Sequence, residues 1–267
     1  MPRKSDSSIV YTLSVGNTTT RLLAWNERVV ARLQWDTARV PSKLTRLLLE
    51  LNLQGPVIVS SVVPAARNRT VALLKKHGAD IFVFRKDLKP RIQIVPSPAL
   101  RVGDDRIAAA LGALSIDSTR PWVVVDFGTA TTINAITPGK VGKPPRFEGG
   151  LILPSPHISL LALAQHTAQL PSLQDWKPNR DSKIISIARN TRDAMRWGVW
   201  QAHVAATIAL AKAQLAALGA RAKLAVTGGD ADYLTRQFIA AFPAARVVAS
   251  ADLVHLGLYQ TWRERAR

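Results

Sequence analysis

Apolar residues run from Ile9 to Val15, a length that suits one strand, and stop at the turn Gly16-Asn17-Thr18. Thr19-Thr20 then lead into Leu22-Leu23-Ala24-Trp25, a second strand, and after Asn26-Glu27 the segment Val29 to Trp35 alternates as a third. This meander precedes a helix expected over Ser42 to Asn52. A strand over Pro56 to Ser60, a helix from Pro64 to His77 and a strand Ile81 to Phe84 continue in α/β alternation.

The order then returns. Pro121 to Phe127 reads as a buried strand, Gly128-Thr129-Ala130 as the turn, Thr131 to Ile136 as the returning strand and Arg146 to Leu153 as a third. Helices are expected over Ser159 to Leu170 and Asn190 to Leu218, followed by a strand Ala222 to Thr227, a helix Ala231 to Phe242 and a strand Ala245 to Ala249. Setting Val15-Gly16-Asn17-Thr18-Thr19-Thr20 against Phe127-Gly128-Thr129-Ala130-Thr131-Thr132 gives a strand, a Gly turn and a Thr-rich return in both halves. The expectation is a duplicated α/β chain: a polar tail over residues 1–8, then domains 9–118 and 119–267 with a cleft between them. Each Gly-Thr hairpin would offer backbone N–H groups and hydroxyls, the donors that phosphate sites use, although Gly-Asn and Asn-Thr are also ordinary hairpin residues.

Composition narrows the chemistry. Of 267 residues 47% are hydrophobic and none is Cys, which excludes a disulfide framework, a thiolate zinc site and a Cys nucleophile. The polar start and the short apolar stretches Ile107 to Leu114 and Val204 to Ala211 match neither a signal peptide nor a membrane span, so a cytoplasmic protein is expected. Lys and Arg total 36 against 18 acidic residues, a net charge of +18 that raises the question of nucleic acid. The excess is diffuse, with no basic tail or stripe, so nucleic-acid binding is not expected. The five His residues show no metal-ligand spacing. Trp197 and Trp200, three apart on the long helix, are candidates for contact with a second copy of the chain.

Two acidic sites stand out. Asp104-Asp105 lies between Gly103 and Arg106, where either carboxylate could simply cap the helix Ile107 to Leu114 and the Arg could hold a substrate carboxylate or form a structural ion pair. Asp126 ends an apolar strand, where a charge is costly unless it is paired or binds a cation.

Gly16-Asn17-Thr18, Gly103-Asp104-Asp105-Arg106, Asp126-Phe127-Gly128-Thr129-Ala130-Thr131-Thr132 and Gly149-Gly150-Leu151-Ile152-Leu153-Pro154, in that order, resemble the type III pantothenate kinases. Thr167-Ala168-Gln169-Leu170-Pro171, Asn190-Thr191 with Gly198, and Thr227-Gly228-Gly229-Asp230-Ala231 extend the likeness over residues 9 to 259. The resemblance implies two ribonuclease-H-like domains of the kind shared by sugar kinases, chaperone ATPases and actin. It implies transfer of the γ-phosphoryl group of ATP, with Mg2+ and a monovalent cation (K+ or NH4+), to pantothenate, in a homodimer.

By position in that pattern Asp105 is the proton acceptor, while Gly103, Asp104, Arg106 and Thr191 are substrate contacts. The hairpin Ser14, Val15, Gly16, Asn17, Thr18, Thr19, Thr20 and Arg21, together with Thr129, is the phosphate-binding part and Asp126 the ligand of the monovalent cation; Gly228-Gly229 could pack adenosine, although a tight turn explains it equally well.

The chain departs from the pattern at Ser14, where the family carries the Asp that orients magnesium, and at Asn134, at Ser155 and in lacking a Tyr over Pro96 to Leu100. The alternatives to an active kinase are a catalytically impaired homologue acting as a nucleotide-binding or regulatory protein, and another phosphotransferase of the same superfamily.

Overall fold

The computed structural model describes residues 9–40, 44–46, 55–173, 176–178, 182–229 and 240–265. The chain forms two compact units, one of Met1–Ser118, Lys140–Pro145 and Asp252–Arg267, the other of Thr119–Gly139 and Arg146–Ala251. Among the described residues no helix is long and apolar enough to cross a membrane.

The first unit is built on strands β1 (Val10–Val15), β2 (Thr19–Asn26), β3 (Arg28–Asp36), β4 (Val57–Ser61) and β5 (Ile81–Val83), with helix α1 (Pro64–Lys76) between the last two. Their order is β3-β2-β1-β4-β5, antiparallel within the meander and parallel from β1 to β5. Period-2 alternation gives the sheet two covered faces. Tyr11, Leu13, Val15, Leu22, Ala24, Val57 and Val59 pack in one cluster with Ala66 and Leu74 of α1. Thr12, Ser14, Arg21, Leu23 and Trp25 belong to the opposite face.

That opposite face meets α5 (Leu253–Glu264), a helix that the sequence reading did not foresee. It runs along β1: Tyr259 stacks on Trp25 at 4.6 Å and His255 Nδ1 lies 2.8 Å from Thr12 Oγ1. The sequence division assigned residues 252–267 to the second domain, whereas they pack with the first unit. Helix α2 (Asp104–Ile116) lies beside α5, and two glycines set the spacing. A Cβ at Gly112 would overlap the Leu253 carbonyl oxygen, and one at Gly257 would overlap that of Ala108.

The second unit repeats the plan with β6 (Trp122–Phe127), β7 (Ala130–Thr137), β8 (Arg146–Pro154), α3 (Pro156–His166), α4 (Thr191–Leu218), β9 (Lys223–Gly228) and β10 (Val247–Ala249). Its strands run β10-β9-β6-β7-β8, the same sequence of pairings as in the first unit, so the duplication is real at the level of topology. Val123, Val125, Phe127 and Ile133 pack with Trp200, Ala211 and Leu215 of α4 and with Leu224 and Val226.

Several expectations change. Helix α3 starts earlier than Ser159, because Ser155 caps it, its Oγ accepting from the Ile158 N–H, and Pro156 takes the first helical position. Trp197 and Trp200 are buried and meet Trp176 edge-on at 5.4 and 6.3 Å, so this chain covers both rings and they are not free for a second copy. Most of the helix expected over Ser42 to Asn52, and most of that over Ala231 to Phe242, lies outside the described residues, as does the tail 1–8.

Candidate active site

In the first unit the chain turns from β1 into β2 through residues 16–18. The Gly16 N–H donates to the Thr19 carbonyl at 3.0 Å, and a Cβ on Gly16 would sit only 3.0 Å from that oxygen. Thr37 braces the turn from β3, its N–H donating to the Thr18 carbonyl and its hydroxyl to the Gly16 carbonyl, both at 2.8 Å. Thr20 is buried with its hydroxyl 3.0 Å from that of Thr37, and Val15 is in the core. Asn17 and Thr18 are the exposed residues of the turn.

Ser14 faces Arg21 across the β1–β2 ladder and has Ser60 as its neighbour on β4. The Arg21 guanidinium donates to Asp252 Oδ1 at 2.8 Å and Arg32 donates through Nε to Asp252 Oδ2 at 2.8 Å. Burial pushes the Asp252 carboxyl up, but the hydrogen bonds and charges of Arg32 and Arg21 outweigh it and hold the group below its ordinary value.

The Gly103 to Arg106 segment joins the same unit through Val62. The Val62 N–H donates to the Val15 carbonyl at 3.3 Å, and a Cβ on Gly103 would lie 3.6 Å from Val62 Cγ1 and 2.5 Å from Asp105 Oδ1. Neither aspartate caps a helix beginning at Ile107. Helix α2 already begins at Asp104 after Gly103, and Asp105 Oδ1 accepts from the Arg106 N–H at 2.8 Å. Burial raises the Asp105 pKa, against the lowering effect of that bond and of the Arg106 charge, while burial lowers that of Arg106.

Asp104 pairs with Arg85, a residue that sequence reasoning missed. Arg85 Nη1 donates to the Val102 carbonyl at 2.6 Å and to Asp104 Oδ1 at 3.1 Å, and Nη2 donates to the Ala99 carbonyl at 2.9 Å. Its backbone is left-handed, φ 62°, which the Arg85 N–H to Leu88 carbonyl bond of 2.8 Å helps to hold. Burial raises the Asp104 carboxyl and Arg85 opposes that rise.

In the second unit Asp126 is half-buried at the end of β6, in register with Thr132 on one side and Thr227 on the other. Thr129 sits in the following turn. Gly228, at φ 104°, lies against the Phe127 backbone where no side chain would fit, so the end of β9 closes on the turn. Thr131 Oγ1 lies 3.1 Å from His203 Nε2, whose pKa burial pushes down to about 4. Thr191 opens α4 and is exposed; Asn190 is the cap, accepting from the Asp193 N–H at 2.9 Å.

The residues singled out in the sequence therefore divide between the units: the hairpin 14–21 and Gly103 to Arg106 in the first, and Asp126, Thr129, Thr191, Gly228 and Gly229 in the second. Among the described residues no three His, Asp or Glu gather as a metal cluster.

Comparison with known proteins matches residues 11–213 to the family described as type III pantothenate kinase. A type III pantothenate kinase of Thermus thermophilus is 30% identical over 264 residues, covering 95% of this chain and 98% of that one. Another, from Exiguobacterium sibiricum, is 29% identical and covers 86% and 90%. Among solved structures, MreB 5 of Spiroplasma citri bound to AMPPNP superposes with a TM-score of 0.54 at 10% identity, covering 98% of this chain and 99% of that chain. The ethanolamine utilization protein EutJ from Carboxydothermus hydrogenoformans gives 0.54 at 14% identity, covering 95% and 90%. At such identities these structures speak for the fold alone, that of the actin-like ATPases and sugar kinases.

Proposed function

The chain belongs to the type III pantothenate kinase family, and within that activity we propose that Asp105 is the base and the β1–β2 hairpin a phosphate cradle. The reaction is ATP-dependent phosphorylation of pantothenate to 4′-phosphopantothenate, the first step of coenzyme A biosynthesis. As the acceptor oxygen attacks the γ-phosphorus, its O–H proton passes to a carboxylate oxygen of Asp105 and the bond to the ADP oxygen breaks. The observation that carries this reading is the Val62 bridge. Val62 bonds to Val15 at the foot of the Gly16 turn and neighbours Gly103, so the two segments share a contact within one unit, and burial raises the proton affinity of the Asp105 carboxylate.

The other assignments follow from the chemistry present. Arg106 offers a guanidinium for the carboxylate of pantothenate. Gly103, lacking a side chain, leaves room beside Asp105, and Asp104, held by Arg85 through Oδ1, keeps its other oxygen for pantothenate. Thr191 contributes a hydroxyl to pantothenate, Thr129 one to the phosphates, and the bare backbone of Gly228 and Gly229 the surface for adenosine. Asp126 with its Thr neighbours supplies an anionic oxygen and hydroxyls, a donor set that fits a monovalent cation such as K+. Such a cation would supply positive charge near the phosphates. The chain works as a homodimer in the cytoplasm.

Asp105→Asn should fold normally and bind ATP as the parent does, while kcat falls by about 10²–10⁴. A coupled assay with ATP, Mg2+, K+ and pantothenate reads the loss; retention of most turnover removes Asp105 from the base role.

A further inference from the structure

A magnesium ion accompanying ATP would need an anionic anchor at the β1–β2 hairpin, and the residues there do not fit one. Residues 9–26 contain no Asp or Glu, and the Gly16 and Thr18 carbonyls of the turn already accept from Thr37. Ser14 is neutral and a weak ligand for a hard dication. Directly opposite it, on the same face of the sheet, stands Arg21.

Among the described residues Asp252, at the start of α5, brings a carboxylate to this face, and both of its oxygens are engaged, Oδ1 by Arg21 and Oδ2 by Arg32. Two guanidinium groups and one carboxylate leave the local formal charge at +1, which repels a dication and attracts a triphosphate. Asp252 also fixes the Arg21 side chain, so little conformational freedom remains to be lost when an anion arrives.

We propose that Arg21 takes the place of a metal bridge at this hairpin, so that the chain binds a nucleoside triphosphate about equally well with and without a divalent cation. The inference rests on the hairpin being the phosphate site. It concerns binding; the transfer step has its own demand for positive charge on the moving phosphoryl group.

Calorimetric titration of the full chain with the non-hydrolysable analogue AMPPNP, once in excess Mg2+ and once in EDTA, tests it. The parent should show affinities within about threefold of each other. Ser14→Asp replaces a neutral side chain with a carboxylate and cancels the local charge of +1, and should weaken EDTA binding by about tenfold while leaving Mg2+ binding close to the parent. Arg21→Gln should lose about tenfold in EDTA and less in Mg2+, since Asp252 is then partly released. Should Arg21→Gln melt early, Ser14→Asp still decides the matter.

Parent binding that drops tenfold or more in EDTA overturns the proposal alone. So does binding by both variants that matches the parent in EDTA. No binding in either condition overturns it together with the reading of the hairpin as a phosphate cradle.

Discussion

Lowering the pH from 7 to 4.5 should weaken the first unit through one side chain, His255. It is buried between α5 and β1, its Nδ1 is bonded to Thr12, and its Nε2 has no hydrogen-bond partner among the described residues. Burial, aided by the nearby Arg21 charge and opposed by Asp252, pushes its pKa down from 6.5 to about 3. A histidine kept neutral in the fold contributes stability that is whole above the unfolded value and is lost as pH falls toward the folded one. Between pH 7 and 4.5 the unfolded chain takes up a proton that the fold refuses, a cost of about 2 kcal/mol. Urea unfolding followed by tryptophan fluorescence at the two pH values measures it. His255→Gln keeps a hydrogen-bonding group for Thr12 but does not titrate, so its loss of stability over the same interval should be smaller by that amount. The raised carboxyls of Asp104 and Asp105 act in both proteins and cancel in the comparison. Parallel pH dependences in parent and variant would refute the reasoning.

Two further outcomes follow from the packing. Arg85→Met removes three hydrogen bonds from the segment that carries Asp105 and leaves Asp104 half-buried without its cation, which should cost about 2 kcal/mol of stability. Its kcat should fall with little change in AMPPNP affinity, and an unchanged kcat would show that Arg85 does not position the base. Gly257→Ala gains helix propensity yet forces a methyl onto the Ala108 carbonyl, so a net loss of about 1–3 kcal/mol is expected, read as a lower Tm.

The strands and their duplication were legible because a short apolar run ended by a Gly turn is a local signal, and Val10–Val15 and Trp122–Phe127 both carry it. The start of α4 at Asn190 was legible as a local signal too, whereas α2 begins at Asp104, ahead of the Ile107 that the sequence suggested. Helix α5 was not legible. Its partners Thr12 and Trp25 lie more than two hundred residues earlier in the chain, and Gly257, which in a sequence reads as a weak helix position, is there because α2 passes so close. Arg85 and Asp252 escaped likewise, since nothing around either residue in sequence announces a partner on a distant element. Trp197 and Trp200 mark an apolar helix face, and the pattern alone does not say whether that face meets its own chain or another; Trp176 answers the question.

Because the last helix belongs with the first strands, synthesis order and assembly order part company. As the ribosome delivers the chain, β1 to β5 emerge early with one face of their sheet still bare, and the entire second unit is made before Asp252 and His255 arrive to cover it. The nascent protein must therefore shelter an unfinished sheet while the second unit is made, and a product ending before Asp252 would carry the intact Gly16 turn and Asp105 motif on a half-dressed scaffold.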